Sequence, residues 1–308
     1  MIYTVTLNPA LDRFIVVEQL LAEDTTRIVS ETPYAAGKGI NVSRVIRELE
    51  GHGVALGLVG GYEGLQLEGL LVNAGVLADF TRISDDTRTN IILREQSKDR
   101  QYAISANGPE VHATEIGLFY QNVNKIQDMD YLILSGSLPR GVSPNLYGQL
   151  ILSGKKKSAF TVLDTDGESL HESIEYQPTC IKPNIYELSR LAERELHTES
   201  EIFGFCEHLH KKGIEYVIVS RGKLGLLLSS VKQKLKAIAP PVEVESTVGA
   251  GDSVVGGFVL AHSQGKDLAD CLRLACAAGT AAAGTPGTEL CHRADVEDIL
   301  PKVQLSNL

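Results

Sequence analysis

The sequence predicts an α/β fold: a mostly parallel sheet with helices on both faces, and a smaller β-sheet beside it. Three observations predict this. Short apolar strand patterns alternate with helical patterns through most of the 308 residues, the order expected of βαβ units. Two stretches, residues 13–35 and 87–105, carry strand patterns with no helix between them. No internal repeat, low-complexity tract or linker divides the chain, so the extra strands read as insertions into a single domain spanning residues 1–308.

The elements follow in order. Met1-Ile2-Tyr3-Thr4-Val5-Thr6-Leu7 lacks the basic region of a signal peptide and reads as a strand over Tyr3–Leu7. Further strands are expected at Val54–Val59, Tyr131–Ser135, Phe160–Asp164 and Tyr216–Ser220. Helices are expected at Ile40–Glu50, Gly64–Asn73, Thr114–Lys125, Pro144–Leu152, Ile185–Glu193, Glu199–Lys212, Gly251–Gln264 and Leu268–Gly284. The strand-like pieces without helices are Arg13–Val17, Arg27–Ser30, Thr89–Arg94 and Gln101–Ser105, the last two joined by the polar turn Gln96–Arg100. They form either a small second sheet or two edge hairpins of the main one.

Hydrophobic residues make up 43% of the chain and charged residues 22%, close to the globular average, which excludes a disordered or collagen-like chain. No apolar run reaches the roughly 18 residues of a membrane span, so no membrane partner is expected and the cytoplasm is the expected location. The net charge of −10 argues against a nucleic-acid partner. An anionic substrate must therefore be held by local positive charge. The cysteines at 180, 206, 271, 276 and 291 form no C-x-x-C pair; small buried hydrophobes are the expected role.

Standard nucleotide motifs are absent. Every Gly-Lys pair is followed by something other than Ser or Thr, so there is no Walker A loop. No G-x-G-x-x-G follows the first strand. The informative segment is Ser246-Thr247-Val248-Gly249-Ala250-Gly251-Asp252-Ser253, where small residues open an apolar helix. Gly249, Ala250 and Gly251 leave backbone N–H groups unobstructed at the positive end of that helix, a place suited to phosphate. Asp252 opposes an anion by charge but makes sense as a general base beside one. An ordinary helix start with an acidic first turn fits the segment equally well. Ala36-Gly37-Lys38-Gly39-Ile40-Asn41 opens a second helix, with a cation and an amide at its mouth. Lys182-Pro183-Asn184 ends a strand and starts a helix, where Asn184 is either a site residue or simply the N-cap. Ser220-Arg221-Gly222-Lys223-Leu224-Gly225 follows a strand and is either a ligand loop or a hairpin turn.

Taken together, these loops resemble the signatures of the PfkB carbohydrate kinase family: Asn8-Pro9-Ala10-x-Asp12, Gly37-Lys38-Gly39-x-Asn41, Ser135-Gly136-Ser137-Leu138-Pro139, Lys182-Pro183-Asn184-x-x-Glu187-Leu188 and Thr247-Val248-Gly249-Ala250-Gly251-Asp252-Ser253. The resemblance runs from residue 4 to about 290, and the last two motifs are highly specific in combination. Thr6-Leu7-Asn8-Pro9-Ala10 and Thr87-Arg88-Thr89-Asn90 are similar to its hexose-phosphate branch, which includes 1-phosphofructokinase, tagatose-6-phosphate kinase and the minor 6-phosphofructokinase. Arg221 departs from the small or apolar residue usual after Ser220.

The resemblance implies a ribokinase-like three-layer α/β/α core with a small β-sheet lid. It implies transfer of a phosphoryl group from ATP to a ketohexose phosphate, with fructose 1-phosphate first and tagatose 6-phosphate or fructose 6-phosphate as alternatives. Asp252 would be the base, and Gly249, Ala250 and Gly251 the anion hole. Asp12, Gly37, Lys38, Gly39, Asn41, Arg88 and Ser137 would bind the sugar phosphate, Arg88 gripping its phosphate. Lys182, Asn184, Glu187, Ser220, Gly222 and Gly225 would bind ATP. Glu187 and Asn184 would position Mg²⁺, through water. A kinase for a neutral sugar or nucleoside, and a catalytically silent sugar-binding regulator, are the further alternatives. The lid implies a homodimer: one face would close over the substrate, and the other, carrying some of Phe14, Val16, Ile28, Ile91 and Leu93, would meet a partner's sheet, with Arg27 reaching across the interface.

Overall fold

Two sheets organise the computed structural model, which describes residues 1–308. The chain opens with β1 (Ile2–Thr6), β2 (Ala10–Val17) and β3 (Ile28–Ala36) before α1 (Lys38–Glu48). Then come β4 (Gly53–Val59), α2 (Gly61–Asn73) and β5 (Leu77–Arg82), followed by β6 (Arg88–Glu95) and β7 (Arg100–Ile104). Helix α3 (Ala113–Lys125) leads into β8 (Tyr131–Ser135), α4 (Leu146–Lys156), β9 (Phe160–Asp164), α5 (Gly167–Ile174) and β10 (Cys180–Ile181). Helices α6 (Ile185–Leu191) and α7 (Glu199–Lys211) precede β11 (Tyr216–Ser220), β12 (Leu226–Ser230) and β13 (Lys234–Ile238). The chain closes with α8 (Ala250–Ser263), α9 (Leu268–Ala283), α10 (Arg293–Ile299) and β14 (Gln304–Asn307).

The large sheet has ten strands in the order β14-β13-β12-β11-β10-β9-β8-β1-β4-β5. Every pairing from β5 to β11 is parallel. The edge from β11 to β14 is antiparallel. Helices cover both faces, and the alternation of side chains along the strands divides them between two cores. Ile133, Val162, Ile218 and Leu228 pack under α1, α8 and α9. Their neighbours Leu132, Leu134, Leu163, Val217 and Leu227 pack on the opposite side, under α3, α4 and α7. Strands buried on both faces read as continuous apolar runs, which is why the central ones were legible. No helix is long and apolar enough to cross a membrane.

Residues 10–36 and 88–104 form a separate four-stranded sheet, order β3-β2-β6-β7, and not edge hairpins of the large one. Its centre is the parallel pair β2–β6, with Asp12 opposite Asn90 and Phe14 opposite Ile92. Residues paired in register share a face. Asp12, Phe14 and Arg94 face the body: a Cβ at Gly287 would lie 3.1 Å from the Phe14 ring, and Arg94 pairs with Glu245 at 3.3 Å. Ile91, Leu93 and Ile104 alternate to the outer face, and the exposed Ile28, on the opposite edge strand, pairs with Val17. Phe14 and Val16 therefore belong to the inner face, not to the outer patch, because strand alternation puts them in phase with Asp12.

Some elements differ from the expectation. The fourth helix starts at Leu146, two residues past Pro144, and continues to Lys156. Strand β5, helices α5 and α10 and the antiparallel strands β12 to β14 differ from the expectation, which placed no element there. Segment 220–225 is a hairpin turn joining β11 to β12, so the plainer of its two readings holds for its backbone.

Candidate active site

The parallel strands end on one side of the sheet, where open α/β folds place their ligands. Helix α8 starts there. Its N-cap, Gly249, has φ +77°, and a Cβ at that position would come within 2.2 Å of Leu290. Only glycine takes up this left-handed turn without cost. The turn leaves the N–H groups at the head of the 14-residue helix free of side chains. Asp252 lies in its first turn and is 6% exposed.

Helix α1 packs alongside α8 with the two N-termini together, Asn41 at Asp252 and Val45 at Gly256. Its N-cap, Gly37, has φ +124° and packs against Thr6 and Pro9, which draws α1 down onto the end of β1. Asn41, one turn in, donates from Nδ2 to Asp252 Oδ2 at 2.8 Å. Lys38 Nζ lies 3.2 Å from Asp164 Oδ1 at the end of β9. Lys182 Nζ, just past β10, lies 3.3 Å from the same oxygen. A Cβ on Gly251 would sit 3.4 Å from Lys182 Nζ, so that ammonium lies against the head of α8. Burial, and then the nearby Asp164 carboxylate, push Asp252 up to about 6, against the pull of Lys38, the Asn41 hydrogen bond and Lys182. The Asp164 carboxylate holds Lys38 charged, well above the ordinary lysine range, despite burial.

A second cluster hangs from the small sheet. The Asp12 carboxylate accepts from Asn90 Nδ2 at 2.8 Å. Burial raises its affinity for a proton, opposed by Asn90, Arg88 and Arg44. Arg88 donates to the carbonyls of Ala106 at 2.9 Å and Asn8 at 3.0 Å, while its buried Nε and the Oδ1 of Asn8 have no partner in the protein. Asn8 Nδ2 lies 3.4 Å from Ser137 Oγ. Arg44 joins the two clusters: its Nη1 donates to the carbonyls of Ala35 at 3.1 Å and Thr288 at 3.2 Å, and its charge acts on Asp12.

The third region adjoins β11. Asn184 caps α6: its Oδ1 accepts from the N–H groups of Tyr186 and Glu187, and Glu187 Oε2 accepts from the Asn184 N–H at 2.7 Å. This capping box fixes the turn, so the plainer role of Asn184 as N-cap is realised. Asn184 also bridges to Ser220. Gly222 stands in open space at φ +56°, and Gly225 packs against Ala237 at φ +78°. Arg221 folds back to Glu199, at 3.0 Å, which also holds Lys236.

Geometry thus brings Asp252, Gly249, Ala250, Gly251, Asn41, Lys38 and Lys182 together at one helix mouth. Asp12 sits in the adjoining lid cluster with Arg88, and Glu187 and Asn184 share one turn. Gly39 is a packing residue, where a Cβ would strike Thr6 and the Val5 carbonyl. Lys38 pairs beside Asp252, whereas the charge acting on Arg88 comes from Asp12. Arg27 is exposed and lies outside the strands. Sequence reasoning missed Asp164, Arg44, Asn8 and Asn90 as site residues. Asp164 closed a predicted strand, and Asn8 and Asn90 lay inside quoted motifs; nothing marked Arg44.

Comparisons with known proteins find relatives along the whole chain. The family model described as pfkB family carbohydrate kinase matches residues 5–295. The chain is 33% identical to a 1-phosphofructokinase of Borreliella burgdorferi, covering 100% of this chain and 99% of that one. It is 32% identical to a tagatose-6-phosphate kinase of Staphylococcus epidermidis, covering 86% of each. A crystal structure of phosphofructokinase-2 from Escherichia coli superposes with a TM-score of 0.93 at 32% identity, covering 97% of this chain and 98% of that one.

Proposed function

The chain belongs to the pfkB family of carbohydrate kinases, phosphotransferases that act on a hydroxyl group, and we propose that it phosphorylates a ketohexose phosphate with ATP, taking fructose 1-phosphate to fructose 1,6-bisphosphate. One observation carries the reading: a buried carboxylate, Asp252, stands at the head of α8 with Asn41 and two lysines around it. The similarity to a 1-phosphofructokinase supports the acceptor. Tagatose 6-phosphate or fructose 6-phosphate is the second reading, favoured by the similarity to a tagatose-6-phosphate kinase and to phosphofructokinase-2.

In this mechanism Asp252 accepts the proton of the acceptor hydroxyl as its oxygen attacks the γ-phosphorus. The bond from that phosphorus to the bridging oxygen breaks, and ADP leaves. Phosphoryl transfer needs positioning and charge stabilisation more than covalent chemistry. The N–H groups of Gly249, Ala250 and Gly251 would meet the charge on the transferring group. Lys182 would meet the ATP phosphates, and Ser220, Gly222 and Gly225 would line the nucleotide. Asp12 and Asn41 would hydrogen-bond the sugar hydroxyls. Arg88 would grip the sugar's phosphate, supported by Lys38 and Ser137, exchanging neutral carbonyls for charge-assisted bonds.

A magnesium ion would neutralise phosphate charge when bound. No cluster of three or more His, Cys, Asp or Glu side chains forms a protein cage for a metal. Glu187, 8% exposed and oriented by its capping box, fits an ion that keeps its waters and rides on the nucleotide. Asn184, its oxygen taken by two N–H groups, would act only through water. We further propose a homodimer joined through the outer face of the small sheet, where Ile28 and Ile104 are 53% and 60% exposed and a two-fold pairing would cover both.

The test is a comparison of kcat/KM for fructose 1-phosphate, fructose 6-phosphate and tagatose 6-phosphate, with fructose as the neutral control, by coupled release of ADP. Fructose 1-phosphate should lead. Equal turnover of fructose would favour a neutral-sugar kinase, and no turnover of any of them would favour a silent regulator.

A further inference from the structure

Asp164 lies outside the motifs quoted from the sequence, yet the charges of the transfer site converge on it. It ends β9 and is 1% exposed. Its Oδ1 meets Lys38 Nζ at 3.2 Å and Lys182 Nζ at 3.3 Å. Its Oδ2 is buried without a partner in the protein. The two ammonium groups arrive from different elements, the first turn of α1 and the segment after β10. Each rides a flexible stem and carries a compact charge. Like charges this close repel strongly in a buried site, and a shared anion removes that repulsion.

We propose that Asp164 is a positioning residue that ties Lys38 and Lys182 to one oxygen at the mouth of α8 and balances their charge until phosphate arrives. The inference rests on the kinase reading for what the lysines then meet. A substrate phosphate carries more negative charge than one carboxylate, so each lysine can transfer to the phosphate it meets, Lys182 to the nucleotide's and Lys38 to the sugar's, without first losing a partner. The same carboxylate has a second effect, on the base. The charged groups facing Asp252 are Lys38 from α1, Asp164 from β9 and Lys182 from beyond β10, with the Asn41 amide also on α1; the Glu187 charge bears on Lys38. Asp164 is the one anion acting on Asp252 and keeps it a better proton acceptor.

Asp164→Asn keeps the shape and removes one negative charge. Three results are expected. The site becomes more positive, so KM for ATP should stay level or fall. The lysines lose their tether, so kcat should fall by roughly 10- to 10²-fold, the scale of misplaced catalytic groups. The Asp252 carboxyl, followed by carbon-13 NMR without substrate, should titrate below about 6, toward the ordinary aspartate range. Asp164→Glu should hold that titration near its original place. A merely structural residue would raise KM as kcat fell and leave the titration unmoved, and that result would overturn the proposal. Should Asp164→Asn fail to fold, Lys182→Met gives the reading with the opposite sign: removing a tethered cation should raise the Asp252 titration, and no change would overturn the proposal. Because the NMR arm needs no turnover, a wild-type protein inactive on every sugar phosphate would sink the proposed function and leave this question decidable.

Discussion

Strand β8 of the large sheet is buried from Leu132 to Ser135, whereas β3 of the small sheet is exposed from Ile28 to Thr32 and buried only at Ala35 and Ala36. The difference separates two kinds of site residue. Asp164, Lys182 and Asp252 stand at the ends of elements packed on both sides, and their side chains are at most 6% exposed. Arg88 and Asn90 stand on strands with one face on the body and one face free. Segments with few buried apolar contacts open at lower free energy than core strands. On the proposed mechanism the large sheet would be the rigid bed for the transferring phosphoryl group, and the small sheet the part that adapts to the acceptor. Arg44 connects them, holding the Ala35 carbonyl at the end of β3 while lying one turn along α1 from Asn41.

Substitutions on either side of the division should have separable effects. The largest effect should come from Asp252→Asn, which keeps the shape and loses the base; kcat should fall on the order of 10²–10⁴-fold, measured by coupled ADP release on protein whose thermal melting is unchanged. Arg88→Ala should act on the other side of the division. Losing a charge-assisted contact costs roughly 1.5–3 kcal/mol, so KM for the sugar phosphate should rise about 10- to 150-fold while KM for ATP stays in place. Unchanged handling of the sugar phosphate would make Arg88 only the clasp between the Asn8 and Ala106 loops.

The pH dependence should be smaller and, for the chemical step, belong to the Asp252 side of the division. Burial and Asp164 raise Asp252 to about 6, and the base works only when deprotonated. Activity should be level above that pH and fall about tenfold per unit below it. A profile flat down to pH 5 would contradict the assignment. The smallest effect on chemistry should follow from Ile28→Glu or Ile91→Glu. Each should lower the solution mass from about twice 33.3 kDa toward one chain, seen by light scattering. A loss of sugar affinity alongside would tie the acceptor site to assembly, and a fully active monomer would separate them.

What was legible in the sequence follows the same division. Strands buried on both faces announce themselves as apolar runs, so β1, β8, β9 and β11 were placed within a residue or two. The antiparallel strands β12 to β14 and the short helix α5 were missed: β13 and β14 are only partly buried, and the apolar run Leu226-Leu227-Leu228 of β12 is just three residues long. The helix mouths at Gly37 and Gly249 were readable because small residues at a helix start are a local signal. Asp164 was not, because its meaning lies in two lysines 126 and 18 positions away in the chain, and only the topology brings them together. One face assignment stayed open in the sequence, which expects only some of Phe14, Val16, Ile28, Ile91 and Leu93 on the outer face: Phe14 and Val16 are as apolar as Ile91 and Leu93, and nothing local says which face is inward.

The most direct test of the division of labour is to measure kcat and both KM values for Asp252→Asn and Arg88→Ala side by side with fructose 1-phosphate and ATP. The expected result is a crossed pattern: Asp252→Asn loses kcat with little change in either KM, and Arg88→Ala loses sugar-phosphate affinity with kcat largely kept. A normal kcat for Asp252→Asn, or an Arg88→Ala variant that loses kcat with its sugar KM unmoved, would contradict it.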